Sequence, residues 1–322
     1  MALRGKEERL IVFAIAHGES YIRKLADFCL PSLLAPGNLP CLSDEKPELA
    51  IFTVDTDVGL VTKLLNKPEI AASFGDRRQV FAVKVLADSS TEQLPKFKAA
   101  VTRHLLRDAV DYCLKKDRSF LFAVPDLVFS NGAIKTSWQL HRMTGKMVSI
   151  FNGRVQSKVD EPPFSPALMP KLTREQGVRD FFFSNMVADW HNWTTTDPDV
   201  IPDPTLPGHL ILKSDHHSFV FSRPNPVIGR FTQRDLMFFT DERVSLWHWD
   251  HDWQDALLRE GRLQVQTNLD LGMSIELEDG AYGPTYSADS LVDESGGPSV
   301  TEQRESKFAF NYAGFTFTTT HR

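Results

Sequence analysis

Carboxylates and imidazoles gather in four groups along this chain, each just after a short apolar run. They are Asp55 with Asp57, Asp126, Asp215-His216-His217, and Asp250-His251-Asp252. Oxygen and imidazole donors of this kind suit Mn2+ or Mg2+, and such a cation neutralises a phosphate leaving group. Aspartate also favours turns, so an ordinary turn residue is the default for any single group. Four groups at one sheet edge would be harder to ascribe to turns alone. Lys96 and His104 stand eight residues apart, roughly one face of a helix. Their plain readings are a solvated lysine and a half-buried histidine. Trp190, Trp193, Trp247 and Trp249 could stack on a sugar ring, although aromatic side chains more often fill a core.

The elements that must position these groups read as strands alternating with helices. Phe120–Val124 is wholly apolar, as a strand buried on both faces would be, and Pro125 should end it because proline cannot donate to a ladder. Asp126 is thereby expected at the carboxyl end of a central strand, where open α/β sheets bind their ligands. Leu127–Phe129 follows, and then the turn Ser130-Asn131-Gly132. Earlier strands are expected at Leu10–Ala16, Leu49–Val54 and Gln79–Leu86, with helices at Tyr21–Leu34 (interrupted at Pro31) and Val58–Leu65. The clearest amphipathic helix spans Gln93–Lys116, its apolar residues recurring every three or four positions. This alternation predicts a mainly parallel, doubly wound sheet with helices on both faces.

The second half is less regular. A helix is expected over Ile134–Met143, closed by Gly145, and a strand over Met147–Phe151, ending at Asn152-Gly153. Thr173–Asp189 reads as a helix whose Thr173 and Gln176 resemble a capping box. Strands at Leu210–Lys213, Phe219–Phe221 and Val244–Trp249 and a helix at Trp253–Leu263 follow. Beyond Glu276 the chain is rich in Gly, Ser, Asp and Glu, which suggests a loosely packed tail with one strand near Phe308–Thr318.

Composition narrows the function classes. The net charge is −6 with no Lys/Arg block, which argues against a nucleic-acid footprint. Three widely spaced cysteines support neither a disulfide framework nor a zinc knuckle, and fit a reducing cytoplasm. No apolar run is long enough to span a membrane, and the first residues lack the apolar core of a signal peptide. With 42% hydrophobic residues and 23 phenylalanines, a large and bulky core is expected.

The triplet Asp215-His216-His217 is similar to the DHH signature of Mn2+-dependent phosphoesterases, with Asp55 and Asp57 as its upstream aspartates. The two motifs lie about 160 residues apart, and no glycine-rich partner motif follows. A broader resemblance rests on V-F-A-I-A-H-G-E-S-Y-I, C-L-P-S-L-L-A-P-G-N-L-P, L-A-I-F-T-V-D-T-D and F-L-F-A-V-P-D-L-V-F-S-N-G-A-I. Over about residues 10 to 260 the chain resembles a little-characterised bacterial family that looks like GT-A fold glycosyltransferases. The resemblance implies a nucleotide-sugar donor bound by residues 10–152, an acceptor half at 153–275 and an extension at 276–322. It implies donor contacts at His17, Thr53, Asp55, Lys96 and His104, and a general base at Asp241 beside Glu242. The family's DxD motif appears as Val124-Pro125-Asp126, one carboxylate instead of two: either His216 or His217 completes a Mn2+ or Mg2+ site with Asp126, or the chain works without metal, or it has lost activity. The acceptor would be a glycan, a lipid-linked glycan or a protein. A metal-dependent phosphoesterase and a non-catalytic sugar-binding relic of the same fold remain the alternatives.

Overall fold

Every side chain of Leu10–Ile15 is buried, as in a strand covered on both faces. The chain is built outward from it. The structure, a computed structural model, describes residues 9–84, 94–156, 164–185, 192–195, 209–213, 218–221, 225–240, 249–278 and 316–319. Its strands are β1 (Leu10–Ile15), β2 (Glu48–Val54), β3 (Arg78–Val83), β4 (Ser119–Phe122), β5 (Leu127–Phe129), β6 (Met147–Gln156), β7 (Asn192–Thr195), β8 (His209–Lys213), β9 (Ser218–Phe221), β10 (Asn225–Gly229), β11 (Leu263–Gln266), β12 (Met273–Glu278) and β13 (Thr316–Thr319). Its helices are α1 (Glu19–Lys24), α2 (Leu30–Leu33), α3 (Val58–Leu65), α4 (Pro68–Phe74), α5 (Leu94–Lys116), α6 (Ala133–Thr144), α7 (Met169–Leu172), α8 (Gly177–Asn185), α9 (Gln233–Thr240) and α10 (Trp249–Arg259).

Among the described residues a nine-stranded sheet runs β3-β2-β1-β4-β10-β6-β12-β5, with β11 also paired to β6. β3, β2, β1 and β4 are mutually parallel, as are β6, β11 and β12. β10 runs antiparallel between β4 and β6, and β5 antiparallel to β12. Leu105, Leu106, Ala109 and Val110 of α5 pack with Phe13 and Phe52 on one face, joined by Phe239 of α9 and Leu257 of α10. On the other face Leu25, Val61, Leu64 and Ile70 pack with Val12, Leu49 and Ile51. The expected mainly parallel α/β sheet, with helices on both faces, is therefore what the chain forms. The phenylalanines supply bulk at its centre, where Phe120 stacks on Phe231 at 4.0 Å and Phe13 on Phe122 at 4.7 Å. A four-stranded sheet of β13, β9, β8 and β7 carries the strands expected at Leu210–Lys213 and Phe219–Phe221, each beginning one residue earlier.

Several elements depart from the sequence pattern for identifiable reasons. Pro31 does not break its helix, because Leu25–Cys29 widens into a π-turn in which the Leu30 N–H bonds to Leu25 O, and α2 then accepts proline in its first turn. Asn152-Gly153 is no turn: β6 runs through it to Gln156. Gly153 is there because a Cβ would press into the Phe182 ring, 2.7 Å from Cδ2. Gly153→Ala is accordingly expected to cost about 1–3 kcal/mol in urea unfolding, since the fully buried ring has nowhere to move. Thr173 and Gln176 form no capping box. Thr173 Oγ1 donates to Met169 O at the end of α7, and α8 begins only at Gly177. Trp249 opens α10 instead of closing a strand, and Leu263 belongs to β11. β12 carries the sheet through Glu276 to Glu278. The expected tail beyond it, apart from β13, lies outside the described residues, as do residues 244–248 of the expected strand.

Candidate functional site

The order of crossovers singles out one crevice. From β1 to β2 and from β2 to β3 the chain passes over one face of the sheet, whereas the return to β4 runs through α5 on the opposite face. The winding therefore reverses between β1 and β4, and ligands of open α/β sheets bind outside the carboxyl ends of the strands at such a reversal. The register holds those ends level: Ala16 N donates to Phe52 O at 3.0 Å and Ala123 N to Phe13 O at 2.8 Å. His17 follows β1, Asp55 and Asp57 follow β2, and Asp126 follows β4 by way of Pro125, so all four stand at one edge.

His17 is half-buried, with Nε2 2.9 Å from Thr102 Oγ1 on α5. Gly18 takes φ 81°, a conformation that suits glycine, and its N–H donates to Asp57 Oδ2 at 2.6 Å. Asp57 thus ties the turn after β1 to the turn after β2. Asp55 is exposed, and its Oδ1 accepts from the Thr56 N–H at 3.0 Å. Asp126 is half-buried, and its backbone oxygen accepts from Leu277 N at 3.2 Å, which places it at the carboxyl end of β12 as well. Burial, with the charge of Asp126 adding to it, pushes the Cys29 thiol well above its ordinary value and keeps it protonated.

Other expected residues stand elsewhere. Thr53 is fully buried one residue before the end of β2, and strand alternation turns it to the side of Leu49 and Ile51. Its hydroxyl lacks a hydrogen-bond partner among the described residues. His104 lies two positions beyond Thr102, about 200° around α5. It is exposed, with Nε2 3.1 Å from Arg107 and 3.7 Å from Asp108, so the helix does not bring it to His17. Lys96 belongs to the first turn of α5, with its side chain outside the described set. Asp250, His251 and Asp252 lie in α10, not at a strand end. Asp215, His216, His217, Asp241 and Glu242 are outside the described residues. Among those described, no group of three or more His, Cys, Asp or Glu could hold a metal ion.

Asn38 organises the turn after β5; it stands in the C-L-P-S-L-L-A-P-G-N-L-P run, but no role was expected of it there. Its Nδ2 donates to Ser32 O at 2.9 Å and Ser130 O at 3.0 Å, while its Oδ1 accepts from Gly132 N and Ile134 N, each at 3.0 Å. Asn131 Oδ1 in turn accepts from Gly37 N at 2.7 Å. Ser130-Asn131-Gly132 thus locks β5 and the start of α6 to residues 37 and 38. Beside the crevice a cleft of ≈ 580 Å³ opens between α1 and the segment before α7, with Leu277 of β12 in its wall. Lys24 Nζ donates to Leu277 O at 2.9 Å and joins the cleft to the strand that holds Asp126.

No family model matches this chain, and no curated protein matches it. Among solved structures, a provisionally named glucose-1-phosphate thymidylyltransferase from Bacillus anthracis, solved in complex with sucrose, aligns over 83% of this chain and 89% of its own. The TM-score is 0.35 and the identity 8%, a likeness too slight to carry any argument about chemistry. No helix of the described residues is long and apolar enough to cross a membrane.

Proposed function

We propose that this chain is a transferase that takes a sugar from a nucleoside diphosphate sugar, with the donor laid over the carboxyl ends of β1, β2 and β4. The observation that supports it is the reversal of winding between β1 and β4, which gathers His17, Asp55 and Asp126 at one crevice. His17, steadied by Thr102, would donate to a diphosphate oxygen, and exposed Asp55 would accept from donor hydroxyls. Lys96 would offset phosphate charge from the first turn of α5. Asp241 would take the acceptor proton as general base. A divalent cation would need His216 or His217 beside Asp126. The acceptor would be a glycan, a lipid-linked glycan or a protein.

Calorimetry with nucleoside diphosphates and their sugars, with and without Mn2+, tests this directly. Asp126→Ala is expected to weaken donor binding at least about tenfold, about 1.4 kcal/mol, while the thermal midpoint stays put. Slow release of free sugar from at least one donor is expected from the native chain, because water can replace the acceptor. Phosphodiester cleavage without nucleotide-sugar turnover would favour the phosphoesterase reading instead. Absence of both activities across a broad panel would favour a sugar-binding relic.

A further inference from the structure

We infer that the cleft beside the crevice is a subsite for an uncharged sugar unit, the acceptor end of the transfer. This rests on the donor reading above and goes beyond it in naming what sits next to the donor. The rim carries Glu19, Arg23, Lys24 and Asp27, two carboxylates and two cations. Arg23 Nη2 lies 2.7 Å from Glu19 Oε1, and Asp27 Oδ1 lies 3.2 Å from Lys67 Nζ, so charge on this rim is met locally. The four charges of the lining itself sum to zero, so the lining by itself offers a diphosphate or carboxylate ligand no net positive charge. Hydroxyl groups, which both donate and accept, fit alternating carboxylates and cations without any net charge.

Apart from Ser20 the remaining wall is apolar: Phe28, Phe164, Pro166 and Leu277. Phe164 is half-buried and braced edge-on by Phe181, with ring centroids 6.2 Å apart. A sugar ring has polar edges and a C–H face, and this pairing of a polar rim with an aromatic floor matches both. The volume of ≈ 580 Å³ falls within the roughly 300–1,000 Å³ of small-molecule sites. Leu277 binds Asp126 through its N–H and Lys24 through its carbonyl, so the cleft adjoins the crevice where the donor would react.

The test uses the full chain in nucleotide-free buffer with maltose, cellobiose and lactose, read by saturation-transfer NMR and calorimetry. At least one is expected to bind with a Kd near about 1 mM, equivalent to about −4.1 kcal/mol. Ser20 is exposed on α1 and lines the cleft, so Ser20→Trp should fill it and weaken sugar binding at least tenfold without moving the thermal midpoint. Phe164→Ala should give the same loss, which provides a second variant by another route. The inference falls if none of the three sugars binds, if both variants leave affinity unchanged, or if sodium pyrophosphate competes for the cleft. UDP binding is measured in the same samples. UDP binding without sugar binding overturns the cleft and leaves the donor reading standing. Sugar binding without turnover of any nucleotide sugar overturns the donor reading and leaves the cleft in place.

Discussion

Asp235→Ala is expected to cost about 3–5 kcal/mol of stability, among the largest losses any single change in this chain would cause. Asp235 is fully buried near the start of α9. Its carboxylate accepts from Thr232 N and Thr232 Oγ1, each at 2.7 Å, from Trp253 Nε1 at 2.9 Å, and from Arg262 Nη2 at 2.5 Å. Burial alone would raise its pKa. The hydrogen bonds from Arg262, Thr232 and Trp253 overcome that and hold the carboxyl below its ordinary value. Removing it takes the buried carboxylate from a guanidinium that is only a quarter exposed, leaving it Glu260 at 3.3 Å, and unpins α9 from α10 and β11.

The pH dependence follows from the sign of that shift. A carboxyl with a depressed folded value binds a proton more readily when unfolded. Its contribution is therefore present above the unfolded value of about 3.9 and is lost as pH falls through the folded one. Urea unfolding of the native chain and of Asp235→Asn should differ most near neutral pH, with the gap closing below about pH 4. A gap that stays constant from neutral pH down to about pH 3 would mean that the charge of Asp235 contributes nothing to stability.

Asn38→Ala is expected to cost about 3 kcal/mol or more, because one truncation leaves two amide donors and two carbonyls without their partner. The losses fall within one network and will not simply add. Asn38→Asp keeps the acceptor for Gly132 N and Ile134 N, which begin α6, while losing the donor to Ser32 and Ser130. At neutral pH it should recover none of the loss, because its second oxygen, which can only accept, would face the Ser32 and Ser130 carbonyls in a fully buried site. Denaturant titration checks both variants. A loss under about 1 kcal/mol for Asn38→Ala would mean that water replaces the side chain and the turn is not held from there.

Much of the framework could be read from local pattern. Val58–Leu65 and Leu127–Phe129 have the expected bounds, and α5 and the first two strands differ from expectation by only a residue at an end. In each, the burying face recurs at the period of its own backbone, so the neighbours along the chain carry the information. The start of α9, a helix not expected from the sequence, carries a capping cue that Thr173 and Gln176 only imitate. Thr232 and Asp235 have the required spacing, and Asp235 bonds back to the Thr232 N–H as such a box does. An acidic third position would have found it.

The sequence alone determined which runs are strands and helices over most of residues 10–151, and from their alternation the class of fold. It also placed His17, Asp55 and Asp126 just beyond strands. Only the tertiary structure decided that the winding reverses between β1 and β4, which makes one strand edge a crevice. It also decided that Gly153 serves the Phe182 ring, that Asn38 holds a turn more than ninety residues away, and that His104 turns from His17. Local periodicity reports which side of an element is buried. It does not report what lies against that side, and strand order, ring contacts and remote hydrogen bonds are all facts about the opposing surface.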